Sequence, residues 1–200
     1  IILVKKIPLK KSITISKTFS FFVAFFVSFT ILLSSPVDTF AESRKENFVA
    51  TIYDNKNGLI SSEANAIAET NDGYIWIGSY AGLTRFDGKN FEFITEGGIT
   101  SVTALFTVSK GRLLVGTNDN GIAIYENGKF SFRSSKDGLS ANSVRCFAEA
   151  DDGSIYIGTT DRISKMSKDG KITVLDSSVT YVNSMVYDND RLVCVNNYGE

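Results

Sequence analysis

The 200-residue sequence contains no histidine. That single absence removes histidine general bases, histidine metal ligands and any phospho-accepting histidine from these residues. A nucleophile elbow, a glycine-rich phosphate loop and a Cys/His zinc spacing are missing as well. Catalysis by this segment is therefore not expected, and neither a cofactor nor a metal is called for. The run Asn118-Asp119-Asn120-Gly121 lacks the alternating acids and closing glutamate of a calcium loop, and reads as a turn. Cysteine is scarce: Cys146 and Cys194 fall at different positions of successive expected strands. An exported compartment would permit a disulfide, but that unequal register favours two buried free thiols.

A basic surface is also lacking. The formal net charge is −1, but residues 1–41 hold five lysines and one acid, which leaves a body with 16 basic and 21 acidic residues. An acidic body argues against nucleic acid as a partner, because phosphate binding depends on clustered Lys and Arg. Helical spacing is absent after residue 45, so the chain is expected to be all-β.

What is present begins with a targeting pattern. Lys5, Lys6, Lys10, Lys11 and Lys17 precede an apolar run, residues 19–33, which is followed by Pro36 and by small residues around Ala41. This is the layout of a secretory signal, with Thr39-Phe40-Ala41 as a cleavage site. The alternative is an uncleaved anchor, although fifteen helical residues reach only about 22 Å against a hydrocarbon core of roughly 30 Å. Either way residues 1–41 form a signal or anchor, the lysines stay in the cytoplasm and the rest is exported. Residues 42–47 are a charged linker, and residues 48–53 read as an extra strand that waits for a partner, as when a terminal strand closes a ring.

The remainder is repetitive. The glycine that closes an apolar run recurs at Gly78, Gly116 and Gly158, and a second turn glycine at Gly88, Gly128 and Gly170, in steps of 38 to 42 residues. A worn fourth copy keeps the apolar run but has Val195 near the glycine position. Periods near forty, with four short apolar runs per copy, point to propeller blades, because one four-stranded sheet cannot cover its own faces. Within the first copy, strands are expected at about residues 64–69, 75–79, 83–87 and 90–95, bounded by Asp-Gly and Asn-Gly pairs that supply positive φ for tight hairpins. Blades are placed at about 58–96, 97–136, 137–176 and, incomplete, 177–200, which makes 48–200 a partial β-propeller. The first residue is Ile1, not Met, and the expectation is that these residues are the front end of a longer protein.

Three runs carry a family resemblance: Gly-Leu-x-x-Asn at residues 138–142, Trp76-Ile77-Gly78-Ser79, and Gly82-Leu83-Thr84-Arg85-Phe86-Asp87. They resemble the two-component regulator propeller repeat over roughly residues 51–200. The second copy has Leu114 and the third Tyr156 where that repeat has tryptophan, and Arg162 replaces the Gly82 equivalent. The resemblance implies an exported sensor propeller of a membrane receptor whose output, a histidine kinase or a diguanylate cyclase, lies downstream. It also implies a homodimer of the full-length receptor and an oligosaccharide or other small-molecule ligand. The rival reading is a secreted or surface-attached binding propeller without output.

Trp76, Tyr156, Phe86 and Tyr125 recur at equivalent places, which favours packing between blades over a ligand platform. Arg85 reads as a strand-surface charge that bridges blades. Antiparallel hairpins alternate ends, so the first and third turns of each blade share one end of the ring, and the second turn and inter-blade connection share the other. The first set repeats Asp-Gly, whereas the second set varies, and binding is expected there, at Tyr80, Asn118, Asp119, Asp161 and Arg162.

Overall fold

The computed structural model describes residues 2–6, 48–175 and 178–198. It divides into two compact units, residues 2–51 and, with Ile1, residues 52–200. Most of the expected leader and the whole linker lie outside the described residues. In the first unit, β1 (Ile2–Lys6) and β2 (Phe48–Ile52) form a two-stranded sheet. The strand expected around residue 48 is thus present, but its edge is paired with the chain's own start and not left waiting.

The second unit is all-β. Its first sheet holds β3 (Ala66–Glu69), β4 (Ile75–Ser79), β5 (Gly82–Phe86) and β6 (Phe91–Ile94) in that spatial order. The second holds β7 (Val102–Thr107), β8 (Leu113–Thr117), β9 (Ile122–Glu126) and β10 (Lys129–Arg133); the third holds β11 (Val144–Glu149), β12 (Ile155–Thr159), β13 (Ile163–Met166) and β14 (Ile172–Val174). Last, β15 (Val182–Asp188) pairs with β16 (Arg191–Asn196). All pairings in this unit are antiparallel between consecutive strands, the meander of a propeller blade. The blades do not close into a ring. Among the described residues the only helical elements are two three-residue turns, Glu96–Gly98 and Ser135–Asp137.

Turn chemistry sets these meanders locally. Asp87 Oδ1 accepts the backbone N–H groups of Lys89 and Asn90 at 2.7 and 2.6 Å, and Asp152 Oδ1 accepts that of Ser154 at 2.8 Å. Each carboxylate closes its own turn, which the backbone alone would leave with unpaired donors. At residues 134–137, Ser134 and Asp137 exchange reciprocal capping bonds.

Blades meet through their first strands. β3 packs on β7, β7 on β11 and β11 on β15, and each first strand also packs on the second strand of the blade before it. The recurring glycine makes that approach feasible. A Cβ on Gly78 would meet Val102 Cγ1 at 2.3 Å, one on Gly116 would meet Val144 Cγ1 at 2.9 Å, and one on Gly158 would lie 3.1 Å from Val182 Cβ. The three valines are fully buried in those seats. In the fourth copy the register places Val195 opposite Ser184, the level at which Gly116 faces Ala104. Val195 is 55% exposed.

Two apolar clusters fill the gaps between blades. One gathers Trp76, Leu83, Val102, Leu113 and Val115 between the first and second blades; the other gathers Leu114, Ile124, Val144, Phe147 and Ile157 between the second and third. Trp76, Leu114 and Tyr156 occupy equivalent registers, opposite Arg85, Ile124 and Lys165. Trp76 is wholly buried and its Nε1 donates to Thr70 Oγ1 at 2.9 Å, so its one polar atom is satisfied. Arg85 lies over the Tyr74 ring, pairs with Glu92 at 2.5 Å and donates from Nη1 to Tyr125 OH in the next blade at 3.2 Å. It bridges blades, and its guanidinium is held more firmly protonated by Glu92 although burial opposes this.

Candidate functional site

The first strands of the second, third and fourth blades share a defect at the same place. Their pairing skips one residue between Val102 and Ala104, between Val144 and Cys146, and between Val182 and Ser184. The residues left over are Thr103, Arg145 and Asn183. A bulge leaves its extra residue out of the ladder and re-aims its side chain. In the first blade the same level belongs to Asn65, whose N–H reaches Gly78 O at 2.8 Å just before β3 begins. These four residues lie 38, 42 and 38 positions apart, and no two adjacent blades carry the same one.

They line one cavity of about 260 Å³, together with Tyr80 from the loop between β4 and β5. Because β3, β7, β11 and β15 are the strands that converge, this hollow lies where the blades come together, at the end carrying the second turns. Two of its side chains also staple blades. Asn65 Nδ2 donates to Val102 O at 2.9 Å, and Thr103 Oγ1 donates to Val144 O at 2.5 Å. The next member of the series breaks the pattern, because the Val182 carbonyl accepts from Cys146 Sγ at 3.5 Å. Arg145 is left half-buried, with Nε buried and without a partner.

The five residues expected at this end do not form one site. Tyr80 is 59% exposed and lines the hollow. Asn118 is engaged by its neighbours: its amide donates to Asp119 Oδ1 at 3.1 Å and its Oδ1 accepts from Ser143 Oγ at 3.0 Å. Asp161 and Arg162 pair with each other at 3.3 Å, and the Arg162 backbone is tied to Ser140. Asn65, Thr103, Arg145 and Asn183 were not among the residues expected at this end from the sequence. A signal for the last three was available: each follows the recurring valine, Val102, Val144 or Val182, and the residue type changes there from copy to copy.

A larger cleft, about 540 Å³, lies at the opposite end between the second and third blades. Lys110, Arg112 and Lys168 line it together with Glu126, Glu149 and Asp151, and Glu149 clamps the Ser109 N–H and hydroxyl at 2.7 Å each. Its charges are balanced and its lining belongs to the tight turns, so it is a seam between blades and not a shaped pocket. A similar seam, about 260 Å³, recurs between the first and second blades.

Both cysteines are free thiols, and they are half-buried where buried ones were expected. Burial pushes the Cys146 thiol up to about 12, with nearby Cys194 adding to the effect. A thiol that stays protonated is a poor nucleophile and a poor metal ligand.

Residues 58–81 and 138–161 match the family model of the two component regulator propeller. The chain therefore carries the repeat that its motifs resemble. Among solved structures, the extracellular domain of a protein described as a hybrid two component system from B. thetaiotaomicron superposes with a TM-score of 0.66 at 21% identity, over 75% of this chain and 23% of that one. A second B. thetaiotaomicron extracellular domain, described as that of a one component system, gives 0.62 at 16%, over 78% and 23%. Virginiamycin B lyase from Staphylococcus aureus gives 0.54 at 15%, over 68% and 53%. At such identities these likenesses establish the propeller fold alone. The chain spans about a quarter of the length of the two extracellular domains. No curated protein sequence matches it.

Proposed function

We propose that these residues are the front part of the extracytoplasmic sensor propeller of a bacterial membrane receptor, which binds a small-molecule or oligosaccharide ligand at the second-turn end and drives a kinase or cyclase downstream. The observation that carries this reading is the repeat itself, matched at residues 58–81 and 138–161. Extracellular domains of two-component systems being among the structures of like fold is in keeping with it. The lyases of like fold offer an enzymatic reading, but the chain has no histidine and no converging pair of carboxylates in its hollow.

The proposed site follows from rigidity. Tight Asp-Gly turns at one end leave little room for a shaped surface, while the second-turn end presents a polar hollow framed by residues that differ from blade to blade. The test is to read the gene beyond Glu200 and then assay the whole protein. Further repeats, an apolar span of about 20 residues and a kinase or cyclase are expected, with output changing when ligand is added. A gene that ends after the propeller, without a span, would overturn the receptor reading in favour of a secreted binding module.

A further inference from the structure

We infer that the hollow at the second-turn end is an oxyanion site, with Arg145 as its charged anchor and carboxylate as the group it takes. Four observations carry this. Arg145 sits at the bulge of β11, a position whose counterparts Asn65 and Thr103 spend their donors on the next blade's carbonyl. Arg145 makes no such bond: the Val182 carbonyl accepts from Cys146 Sγ instead. The Nε of Arg145 is buried and unpartnered, and its side chain forms no hydrogen bond or ion pair with the described residues. The remaining lining, Asn65, Tyr80, Thr103 and Asn183, contains no acid.

The contrast with the other cations of the unit is informative. Arg85 pairs with Glu92, Arg112 with Glu126, Arg162 with Asp161 and Lys165 with Asp152. Arg133 and Arg191 also have no carboxylate partner, but among the described cations only Arg145 has a buried side-chain nitrogen without a hydrogen bond, and it faces an acid-free hollow. A planar guanidinium presents paired N–H groups whose spacing matches a carboxylate, and burial of the stem preorganises that fork. Tyr80 on the rim adds an exposed ring and a hydroxyl, and Asn65 adds an amide. This lining suits a carboxylate borne on a hydroxylated ring better than a bare ion, since a bare ion would make no use of the exposed Tyr80 ring on the rim.

The inference deepens the proposed ligand-binding role and rests on it for biological meaning, but its test reads occupancy alone. The full chain is titrated by calorimetry at low salt with glucuronate, with glucose and with inorganic sulfate. Glucuronate is expected to bind in saturable 1:1 fashion and glucose at least tenfold more weakly, the two differing only in the oxidation of one carbon. Arg145→Gln should weaken glucuronate at least tenfold, and Arg145→Lys should weaken it less. Sulfate binding with glucuronate silent would overturn the carboxylate assignment and leave a site for a free inorganic ion only. Because a variant could misfold, arginine modification by phenylglyoxal in the wild-type chain provides a second measurement, with glucuronate expected to protect Arg145 and to leave exposed Arg162 reactive. No binding of either anion to the wild type, equal affinity in Arg145→Gln, or no protection of Arg145 by a bound anion would overturn the inference. Binding without any change in receptor output would remove the sensing reading and leave the site.

Discussion

At the residue scale, the glycines of the repeat act as seats. Adding one methyl group at Gly78 would bring it to 2.3 Å from Val102 Cγ1, a distance that real contacts do not reach, so a strand or the valine must move. Gly78→Ala is expected to cost about 1–3 kcal/mol, the usual range for overpacking a filled core. Urea unfolding would measure it, and Val102→Ala on the same background should recover part of the loss. A fully neutral Gly78→Ala would mean that the blades are not seated this way. The turn aspartates form a second residue-level set. Backbone N–H groups hold the carboxyls of Asp87, Asp137 and Asp152 below the ordinary range, and the Ser167 hydroxyl does so for Asp169. A depressed folded-state value means that the stability these groups contribute is present above the unfolded Asp value, about 3.9. It is lost as pH falls through the lower folded values. Melting temperature should therefore hold from neutral pH to about 5 and decline below about 4, and Asp87→Asn with Asp152→Asn should flatten that decline.

At the scale of elements, the first and second blades are joined by aromatic and polar contacts built on Trp76. Its ring meets Tyr125 at 4.8 Å and Phe130 edge-on at 6.3 Å, both in the second blade, while Thr70 accepts its N–H. Thr70→Val keeps the shape but strands the indole donor in a buried site, which should cost about 1–3 kcal/mol. Trp76→Phe on that background should cost less than it does alone, since the donor no longer needs a partner. A double-mutant cycle that shows strict additivity would argue against the bond. The third blade replaces this arrangement with Tyr156, stacked on Tyr187 at 5.8 Å and beneath Lys165. The same register thus tolerates Trp, Leu or Tyr because the facing blade changes with it.

For the molecule as a whole, stability should be graded along the array, as repeat proteins gain much of theirs from neighbouring interfaces. The strands β15 and β16 leave Val186, Val193 and Val195 more than half exposed, whereas β8 and β12 are flanked by blades on both sides and β8 is wholly buried. Native-state hydrogen exchange is expected to be faster in residues 182–196 than in residues 113–117 and 155–159. Uniform protection across these strands would contradict a graded array. Cys146 offers an independent probe of the boundary between the third and fourth blades. With its thiol lifted to about 12, on the order of one molecule in ten thousand is thiolate at pH 8. Alkylation there should be very slow until the fourth blade opens.

What the residues determined by themselves was the unit of folding: turn pairs such as Asp152-Gly153, the strand residues between them, and the spacing of Gly78, Gly116 and Gly158. These are local properties, since positive φ, carboxylate-closed turns and alternation are decided within a few residues, and a repeat multiplies the signal. Even Arg85 was legible as a bridge, because it sits on a strand face beside the next copy. What only the tertiary structure decided was the candidate site. Thr103, Arg145 and Asn183 look like ordinary strand residues until pairing shows that each is the one left over in a bulge. Their convergence with Asn65 and Tyr80 depends on how blades are rotated about a common centre. Likewise, Asn118 reads as a free polar side chain in a variable loop, but folding brings Ser143 of the next blade against it, while Asp161 and Arg162 pair with each other. Arg145 is left without a side-chain partner while the carbonyl at its level accepts from Cys146 one residue along, a fact of three-dimensional register that spacing along the chain does not contain.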